Sequence, residues 1–567
     1  MGHVSRRDFL KKAVPVIAGV GLVGALGVDP GFASSKSPSS APPTPGIQLS
    51  TASYVIYYQK IFYAQNGTTG SIDYSGADAA TVIQAAIDAL TDGGLVVLRK
   101  GIYPLMNSII VRQGIDLLGE QGAVLRAGDG SQNSANPFNI LEVIGDNVTI
   151  ENIELDGNTE SNPNVAGTTL DPPPANPNMQ SAIVVRSGQN VEVANCYVHD
   201  TWNAGIWLAA TDGDVTGAEI ASCQIDHTGR SYTDPSSTNP PQSASAVYVF
   251  RLQSLTHRSN IHDNVIRDTY GRGIYLHFDT DSIVSNNILT KVPESSAETA
   301  GIVVDDGAKR IILRSNRVTG YGPGIFVVWA GCEDIIVDSN GCFDAPNSGG
   351  AGSGILVDTS TTGGPVQRTV IVKGNICKGN ALSGITIAAS QTIVEGNICY
   401  NNNQDSKDSP LRMAGILVQT GQSPIISDVS VIGNRCFDDQ ATPTQSYGVA
   451  ITQMSNLITD VLVSNNDLRG NGIGGIGGLD CDRKRVTGNL GYNPLGLATI
   501  PVGDSPFTYT NRDGVPEAVY IEGGVISQIS KDGTVLFTAA PATVWLEPDE
   551  SLTVTHSDPP IMVRDRH

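Results

Sequence analysis

The sequence predicts an all-β protein in which short strands wind repeatedly into an elongated solenoid, and three observations support this prediction. A repeat runs through the chain, and each unit has a marker residue, a short apolar alternation, a Gly-rich turn and a Gly-Ile pair that opens a second alternation. The shortest spacings between markers are 22 to 24 residues, which fits one coil of a β-solenoid. Gly accounts for 63 of the 567 residues and charged residues for only 16%, below the usual share of about a quarter. The markers are Cys196, Cys223, Asn264, Asn287, Asn316, Asn340, Asn375, Asn397, Asn434, Asn466 and Asn489.

The marker residues are expected to stack on one another along the solenoid. An Asn at the same corner of successive coils can pair its amide with the amide of the next coil. Cys196 and Cys223 replace the Asn in neighbouring units, where they form either a disulfide after export or two buried thiols. Four further cysteines each follow a marker Asn by two residues and are expected to form an interior column, because a free thiol packs as a small apolar group; they are Cys342, Cys377, Cys399 and Cys436.

The N-terminal segment predicts export. The run Ser5-Arg6-Arg7-Asp8-Phe9-Leu10-Lys11 matches the twin-arginine signal pattern, and an apolar stretch follows it. We assign residues 1–33 to a twin-arginine signal peptide and residues 34–50 to a Ser/Pro-rich linker; retention of the signal as a membrane anchor is the alternative. The net charge of −21 argues against a nucleic acid or an anionic membrane as partner, since both require a basic surface.

Both ends of the predicted solenoid carry a different kind of segment. Residues Asp78 to Leu90 have apolar side chains at helical spacing, and Gly93 and Gly94 end this helix. A solenoid needs such a cap to close its open apolar end, so residues 51–500 are assigned to the solenoid with its N-terminal capping helix. From residue 505 to 567 short strands alternate with turns, which predicts a small C-terminal β-sandwich that caps the solenoid, aids homo-oligomer formation or binds carbohydrate.

The strands after the predicted helix carry a family resemblance. The helix, the run L-V-V-L-R-K-G-I-Y from Leu95 and the run I-D-L-L-G-E from Ile115 resemble the N-terminal cap of pectin-lyase-like right-handed parallel β-helix proteins. The resemblance covers roughly residues 71–493 and implies a right-handed parallel β-helix that acts on a polysaccharide, since this group includes pectate and alginate lyases, polygalacturonases, uronan epimerases and tailspike hydrolases. Fold alone does not fix the function.

Finer motifs do not assign a subfamily. Val304-Asp305-Asp306-Gly307 is similar to the paired aspartates of polygalacturonase-type glycosidases, but the Gly-His-Gly and Arg-Ile-Lys elements of that group are absent. Tyr275-Leu276-His277-Phe278-Asp279 resembles the Tyr/Asp/His grouping of alginate epimerases without their Asp-Pro-His order.

Most of the large insertions fall between the marker strand and the following Gly-Ile strand. Loops at one corner of a solenoid build a wall beside one face, and repeat proteins commonly bind ligands there. The insertions span residues 157–179, 228–242, 292–299, 344–352, 401–413 and 438–446.

The register of the Gly-Ile strands predicts a substrate-binding face. If each Ile points inward, alternate residues point outward, and several of them are aromatic. Exposed aromatic rings mark binding sites and suit the apolar faces of sugar rings, so we expect a solvent-facing platform. The predicted substrate-binding residues are Trp207, Tyr248, Tyr275, Phe326, Trp329, Asp306 and Asp358.

The same face predicts the catalytic residues. Neighbouring coils lie about 4.8 Å apart, which places His277 beside Asp305 and brings Asp279 towards Asp305 diagonally. We expect His277 or Asp305 to act as acid or base, while Arg251 or Arg272 neutralises a substrate carboxylate. Asp305 and Asp358 would lie roughly 9.6 Å apart, near the upper limit for an inverting carboxylate pair.

A Ca²⁺ ion is the one cofactor that these residues suggest. Asp279, Asp305 and Asp306 offer the oxygen ligands that Ca²⁺ prefers, but no dense acidic loop is present, so no residue is assigned as a metal ligand. The sequence as a whole predicts an exported enzyme that cleaves a polysaccharide by elimination or hydrolysis. A non-catalytic, adhesin-like glycan-binding protein and a uronan epimerase are the two alternatives.

Overall fold

The computed structural model describes residues 52–132, 138–163, 180–230, 244–250, 254–291, 300–328, 331–347, 351–358, 368–405, 409–420, 425–453, 457–492 and 496–566. The predicted signal peptide and linker lie outside these residues. The described part contains three long sheets made largely of parallel strands, one short helix near its N-terminal end and two small antiparallel sheets near its C-terminal end. The three sheets form the faces of a parallel β-helix, as predicted.

The first sheet has 17 strands, and three of them belong to an N-terminal antiparallel meander. Its strands are Tyr54–Gln59, Ile61–Asn66, Ile72–Gly76, Gly94–Leu98, Ile115–Gly119, Thr149–Glu151, Glu192–Ala194, Glu219–Ala221, Asn260–His262, Ile283–Ser285, Ile312–Arg314, Glu333–Asp338, Arg368–Lys373, Thr392–Glu395, Ile425–Ile432, Leu457–Ser464 and Asp482–Thr487.

The second sheet has 12 strands, and most of them follow a marker residue. They are Gly101–Leu105, Ala123–Ala127, Glu154–Asp156, Tyr197–His199, Gln224–Asp226, Val265–Arg267, Ile288–Thr290, Arg317–Thr319, Gly341–Phe343, Ile376–Lys378, Ile398–Tyr400 and Arg435–Phe437.

The third sheet has 15 strands and contains the Gly-Ile strands. They are Ile109–Arg112, Leu141–Ile144, Ile183–Gln189, Ile206–Leu208, Val215–Thr216, Ser245–Phe250, Thr256–His257, Arg272–His277, Ile302–Asp305, Ile325–Val328, Ile355–Val357, Ile385–Ile387, Ala414–Gln419, Tyr447–Thr452 and Gly474–Gly477. In chain order, each long insertion separates a strand of the second sheet from a strand of the third, as the sequence predicts.

The marker asparagines form the predicted ladder inside the solenoid. The Nδ2 of Asn264 donates a hydrogen bond to Oδ1 of Asn287 at 2.9 Å, and Asn287 donates to Asn316 at 3.0 Å. The same bond continues coil by coil from Asn316 to Asn489. Each of these amides also donates to a backbone carbonyl, so a buried polar residue is satisfied at every step.

The cysteines also follow the predicted arrangement. Cys342, Cys377, Cys399 and Cys436 are aligned partners on successive strands of the second sheet, and all four are fully buried. Of the two arrangements considered for Cys196 and Cys223, the structure contains the buried thiols. The column is therefore part of the apolar core.

The N-terminal cap contains the predicted helix, α1, at Ala79–Asp88. Asp78 accepts a hydrogen bond from the Thr81 amide and so satisfies one of the free N–H groups at the helix start. The apolar face of α1, which includes Ile83 and Ile87, packs into the core at the end of the solenoid. A 3₁₀ turn lies at Pro410–Arg412.

The C-terminal module consists of two four-stranded antiparallel sheets around their own apolar core. One sheet contains Gly496–Ile500, Glu517–Glu522, Ala542–Leu546 and Ile561–Arg566, and the other contains Phe507–Thr510, Val525–Lys531, Thr534–Phe537 and Ser551–Asp558. The module begins with the first of these strands, before residue 505 where we had predicted its start. It also contacts the solenoid, because the Val486 amide donates to the Gly514 carbonyl at 3.0 Å.

None of the helices that the structure describes is long and apolar enough to cross a membrane.

Candidate active site

The third sheet presents its strands in the predicted register. Ile274, Leu276, Ile302 and Val304 point inward and belong to the core of the solenoid. Tyr275 belongs instead to a second apolar cluster on the outer side of the sheet. The alternation therefore predicts correctly which side of the sheet each residue occupies.

The predicted exposure of the outer aromatic residues is wrong. Trp207, Tyr248 and Tyr275 are each 0% exposed, so they do not form a solvent-facing platform. Register fixes the direction in which a side chain leaves a sheet, but it does not determine what packs on top. Here Ala204 and Ala300 pack into the same outer cluster as the rings, which removes apolar surface from water.

The aromatic rings stack from one coil to the next. The centroids of Trp207 and Tyr248 are 5.7 Å apart, and those of Tyr248 and Tyr275 are 5.1 Å apart. A second group of rings surrounds His277. The ring centroid of His277 is 4.6 Å from that of Phe250 and 4.5 Å from that of Phe278. Phe250 and Phe278 are only half-buried, so apolar surface remains accessible beside His277.

His277 is the centre of a compact polar group. Its strand pairs with the next coil so that His277 lies opposite Asp305, as predicted. The Nε2 atom of His277 is 3.9 Å from Oδ1 of Asp305 and 2.8 Å from Oδ2 of Asp306. On the other side, Nδ1 of His277 is 3.4 Å from the hydroxyl of Tyr275.

Asp305 is held by one short contact. The Tyr275 hydroxyl donates a hydrogen bond to Oδ2 of Asp305. The other carboxylate oxygen, Oδ1, is buried and has no hydrogen-bond partner among the described residues. Asp306, with a left-handed backbone (φ 46°), places a partly exposed carboxylate beside His277.

Burial dominates the electrostatics of this group. Removal from water raises the pKa of the Asp305 carboxyl well above its ordinary value, and the neighbouring Asp306 adds to this rise. The hydrogen bond from Tyr275 and the charge of Arg272 oppose it. Burial likewise raises the pKa of the Tyr275 hydroxyl, with the charge of Asp305 as the next contribution.

The predicted arginine partners have different outcomes. The guanidinium carbon of Arg272 lies 4.4 Å from the centroid of the Tyr275 ring, so a positive charge stands over the aromatic residue that holds Asp305. Arg251 and Trp329 lie outside the described residues, and their predicted roles stay predictions. Phe326 is half-buried and packs against the outer aromatic cluster.

Two predicted acidic residues lie apart from the group. Asp358 is two coils beyond Asp305, since Asp305 pairs with Val328 and the next strand ends at Val357. Asp279 was predicted to approach Asp305, but it is 0% exposed. The groups that act on its carboxyl are Ser282, Thr280 and Thr256.

Asp279 is better explained as a buried structural carboxyl. Burial raises its pKa to about 7, against the opposing effect of the surrounding hydroxyls and the Thr280 amide. Neither carboxylate oxygen has a hydrogen bond of normal geometry within the described part of the chain. Phe278 has a left-handed backbone (φ 55°), which interrupts the strand. Asp279 therefore lies at the corner between the third and first sheets instead of on the outer face of the third sheet.

Phe278 and the second amide ladder were not predicted from the sequence. Phe278 follows His277 directly and stacks on it, although a strict strand alternation would place the two on opposite sides. The second ladder joins Asn380 to Asn402, Gln445 and Asn471 at the insertion corner. A sequence signal exists for it, because Asn380, Asn402 and Asn471 each follow a marker Asn by five residues.

Two groups of residues in the described structure have the composition of a metal site. One is His277, Asp305 and Asp306, and the other is Asp156, His199 and Asp200; in each group the ligand atoms lie within 4.8 Å of one another. Asp279, which the sequence suggested as a possible Ca²⁺ ligand beside Asp305 and Asp306, belongs to neither group.

Comparison with known proteins supports the fold. A family model described as a right-handed β-helix region matches residues 94–289. Together with the strand pairing, this confirms the predicted right-handed parallel β-helix. A comparison with curated protein sequences finds no match.

Solved structures of similar fold are distant in sequence. The A-module of the mannuronan C-5 epimerase AlgE6 of Azotobacter vinelandii is 17% identical with a TM-score of 0.49, and the match covers 74% of this chain and 96% of that one. The Dettilon tailspike protein is 14% identical with a TM-score of 0.47, covering 89% and 93%. A tailspike mutant of E. coli bacteriophage HK620 in complex with a pentasaccharide is 13% identical with a TM-score of 0.47, covering 88% and 92%.

Proposed function

We propose that the protein is a carbohydrate-active enzyme that cleaves a polysaccharide, and that the reacting bond lies over His277, Asp305 and Asp306. One observation carries the proposal. An imidazole nitrogen and two carboxylate oxygens meet within 4.8 Å on the outer face of the third sheet. Titratable groups that converge in this way, one of them a carboxyl whose pKa burial raises, are characteristic of reaction sites.

The surroundings of His277 suit a sugar ring. Phe250 and Phe278 flank the imidazole and remain half-buried, so they offer apolar surface for the C–H face of a pyranose. The Asp306 carboxylate is partly exposed next to them and can accept hydrogen bonds from sugar hydroxyls. A chain that lies over the two phenyl rings would therefore contact Asp306 and reach the edge of His277 beside it.

Both candidate reactions require a proton transfer at this point. In an elimination, a base removes the proton beside a uronate carboxylate while an acid protonates the leaving oxygen; in a hydrolysis, the pair acts on water and the leaving oxygen. We assign that transfer to the group that His277, Asp305 and Asp306 form. The positive charge of Arg272 over Tyr275 would favour an acidic substrate.

A panel of uronans and neutral glycans tests the proposal. Absorbance of unsaturated chain ends identifies elimination, and new reducing ends without that absorbance identify hydrolysis. We expect His277→Ala and Asp305→Asn to lower the rate at least ~100-fold, whereas His199→Ala, which removes a histidine on another sheet, should keep it. If both site variants retained full activity, the assignment of this site would be wrong.

Two alternative functions use the same face. The half-buried rings of Phe250 and Phe278 could equally serve a non-catalytic glycan-binding protein. Binding without product across the whole panel would favour that function. A uronan epimerase would remove and return a proton at the same group without cleaving the chain, and NMR spectra would show a changed uronate composition at constant chain length.

Export by the twin-arginine route is part of the proposal. It is supported by Arg6 and Arg7 and the apolar stretch that follows them. A reporter fused after residue 50 should reach the cell exterior or envelope, and replacing both Arg6 and Arg7 with Lys should retain it inside. Export of the double variant at the unchanged rate would contradict this route.

A further inference from the structure

We infer that His277, Asp305 and Asp306 together hold a divalent first-row transition-metal ion. The inference rests on the proposed function only for the catalytic use of the ion; the binding of the ion follows from the geometry of the three side chains.

The three donor atoms have the spacing of a metal-ligand set. Nε2 of His277 is 2.8 Å from Oδ2 of Asp306 and 3.9 Å from Oδ1 of Asp305. Ligands bound at about 2.0–2.2 Å around one ion lie about 3–4 Å from one another. Three protein donors leave further coordination positions open for water or a substrate oxygen, where a metal ion acts as a Lewis acid.

An unpartnered buried atom points independently to a ligand. Asp305 is 0% exposed, and its Oδ1 has no hydrogen-bond partner among the described residues. His277 Nε2 is also buried and makes no hydrogen bond of acceptable geometry there, in spite of its closeness to Asp306. A buried polar atom without a partner is costly, and an ion between these two atoms would satisfy both at once.

Tyr275 has the position of an outer-shell partner. Its hydroxyl binds Oδ2 of Asp305 and so leaves Oδ1 as the oxygen that faces His277. Metal-ligating carboxylates are commonly held by such a hydrogen bond, which fixes the orientation of the ligand.

The donor set selects the class of metal. An imidazole nitrogen with two carboxylate oxygens suits Mn²⁺, Zn²⁺, Co²⁺ or Fe²⁺. Ca²⁺ prefers six to eight oxygen ligands, whereas this group offers one nitrogen and two carboxylate oxygens. The ion that we infer therefore differs from the Ca²⁺ that the sequence suggested.

The second His/Asp group does not have these features. Nδ1 of His199 is 2.8 Å from Asp200 and Nε2 is 3.4 Å from Glu154, so both ring nitrogens face carboxylates that bind them as hydrogen-bond partners. Arg126 places a positive charge 3.1 Å from Asp156. A cationic partner is thus already present, and His199 provides a matched control.

Metal binding can be measured without knowing the substrate. The purified protein is stripped with a chelator and titrated with MnCl₂, ZnCl₂ and CaCl₂, with bound metal determined by elemental analysis and affinity by calorimetry. We expect the unmodified chain to bind one Mn²⁺ or Zn²⁺ ion and to bind Ca²⁺ more weakly. The affinity for the transition metal should fall at least ~100-fold in His277→Ala and roughly 10- to 100-fold in Tyr275→Phe. His199→Ala should bind as the unmodified chain does. Circular dichroism verifies that each variant is folded.

The same experiment separates this inference from the proposed function. Absence of a bound transition metal, binding that His277→Ala leaves unchanged, or binding that His199→Ala abolishes would each overturn the inference. Polysaccharide cleavage that continues after chelation would also overturn a catalytic role for the ion, while the proposed function would stand. A bound ion that depends on His277, with no product from any glycan, would support the inference and reject the proposed function.

Discussion

The Tyr275 hydroxyl donates a hydrogen bond to Oδ2 of Asp305, although the two residues are thirty positions apart in the sequence. The bond joins adjacent coils, because the strands Arg272–His277 and Ile302–Asp305 are parallel partners in the third sheet. Both side chains are fully buried on the outer side of that sheet. Orientation of the Asp305 carboxyl, and with it the oxygen that faces His277, therefore depends on the Tyr275 hydroxyl.

Tyr275→Phe tests this dependence. The variant keeps the stacked ring but leaves Oδ2 of Asp305 without its donor, which should cost about 1–3 kcal/mol of folding free energy. The rate on an identified substrate should fall roughly 10- to 100-fold, as for other outer-shell partners, with most of the loss in kcat. Denaturant unfolding and steady-state kinetics measure the two effects.

Tyr321→Phe is the control for that variant. Tyr321 is also fully buried and shares a hydrogen bond of 2.8 Å with Thr269, but it belongs to the core of the solenoid. It should lose stability of similar size and keep full activity. Equal losses of activity in the two variants would show that Tyr275 acts only through general stability.

The asparagine ladder predicts an unusually large effect for one amide. In Asn340→Ala, the Nδ2 and backbone N–H of Asn316 both lose their acceptor, and the Leu313 carbonyl loses its donor. Several buried groups left unsatisfied at ~1–3 kcal/mol each should together cost at least about 3 kcal/mol. Urea denaturation, compared with the unmodified chain, measures the loss.

An exposed amide pair provides the comparison for Asn340. Asn190 donates to Asn147 across neighbouring coils at 3.1 Å, but both are exposed to solvent. Because water replaces the lost bond and glycine tolerates the left-handed backbone of residue 190 (φ 56°), Asn190→Gly should cost less than about 1 kcal/mol. If the two substitutions had the same effect, burial of the ladder would not be the source of its stability.

The sequence predicts the scaffold better than the surface of the site. The coil repeat, the Asn ladder and the pairing of His277 with Asp305 all follow from a period that every coil shares. Exposure of Trp207, Tyr248 and Tyr275 does not follow from it, because burial depends on what packs over a sheet. The position of Asp279 does not follow from the sequence either. Phe278, one residue earlier, leaves the strand conformation, and the alternation of inward and outward side chains ends where the strand ends.

Two histidines should make stability depend on pH. Burial alone would lower the pKa of His199, but the hydrogen bond to Asp200 and the charge of Asp156 raise it. His262 has the same arrangement with Asp263 and Glu219. A pKa that is higher in the folded than in the unfolded chain stabilises the fold fully below the unfolded value of about 6.5 and loses this contribution as pH rises through the folded value.

The pH effect is measured from melting temperatures of the unmodified chain and the double variant His199→Gln/His262→Gln. The variant should melt at a lower temperature at pH values below the unfolded pKa, and the difference should shrink as pH rises past neutrality. A difference that stayed constant or grew over that range would show that the raised pKa values do not contribute to stability.

Lys484 joins the C-terminal module to the end of the solenoid. Its ammonium group is 2.8 Å from Oδ1 of Asp549 in the module and 3.1 Å from the Cys481 carbonyl, and its side chain is only 4% exposed. Lys484→Met keeps the length of the side chain but leaves Asp549 unpaired. Since Asp549 is about a third exposed and water can reach it, we expect a loss of roughly 1–3 kcal/mol, less than for a fully buried pair.

A control ion pair and the hydrogen exchange of one amide test whether the effect of Lys484→Met is local to the junction. Lys309 contacts Glu333 at 3.0 Å, and the two side chains are 44% and 37% exposed, so Lys309→Met should cost less than about 1 kcal/mol. In Lys484→Met, the Val486 amide, which donates to Gly514 of the module, should exchange its hydrogen faster, while amides in the middle of the solenoid keep their rates. Because the module packs over Val486 at the open end of the core, faster exchange there would locate the loss at the junction. Unchanged exchange at Val486 would mean that Lys484 contributes nothing to closing that end.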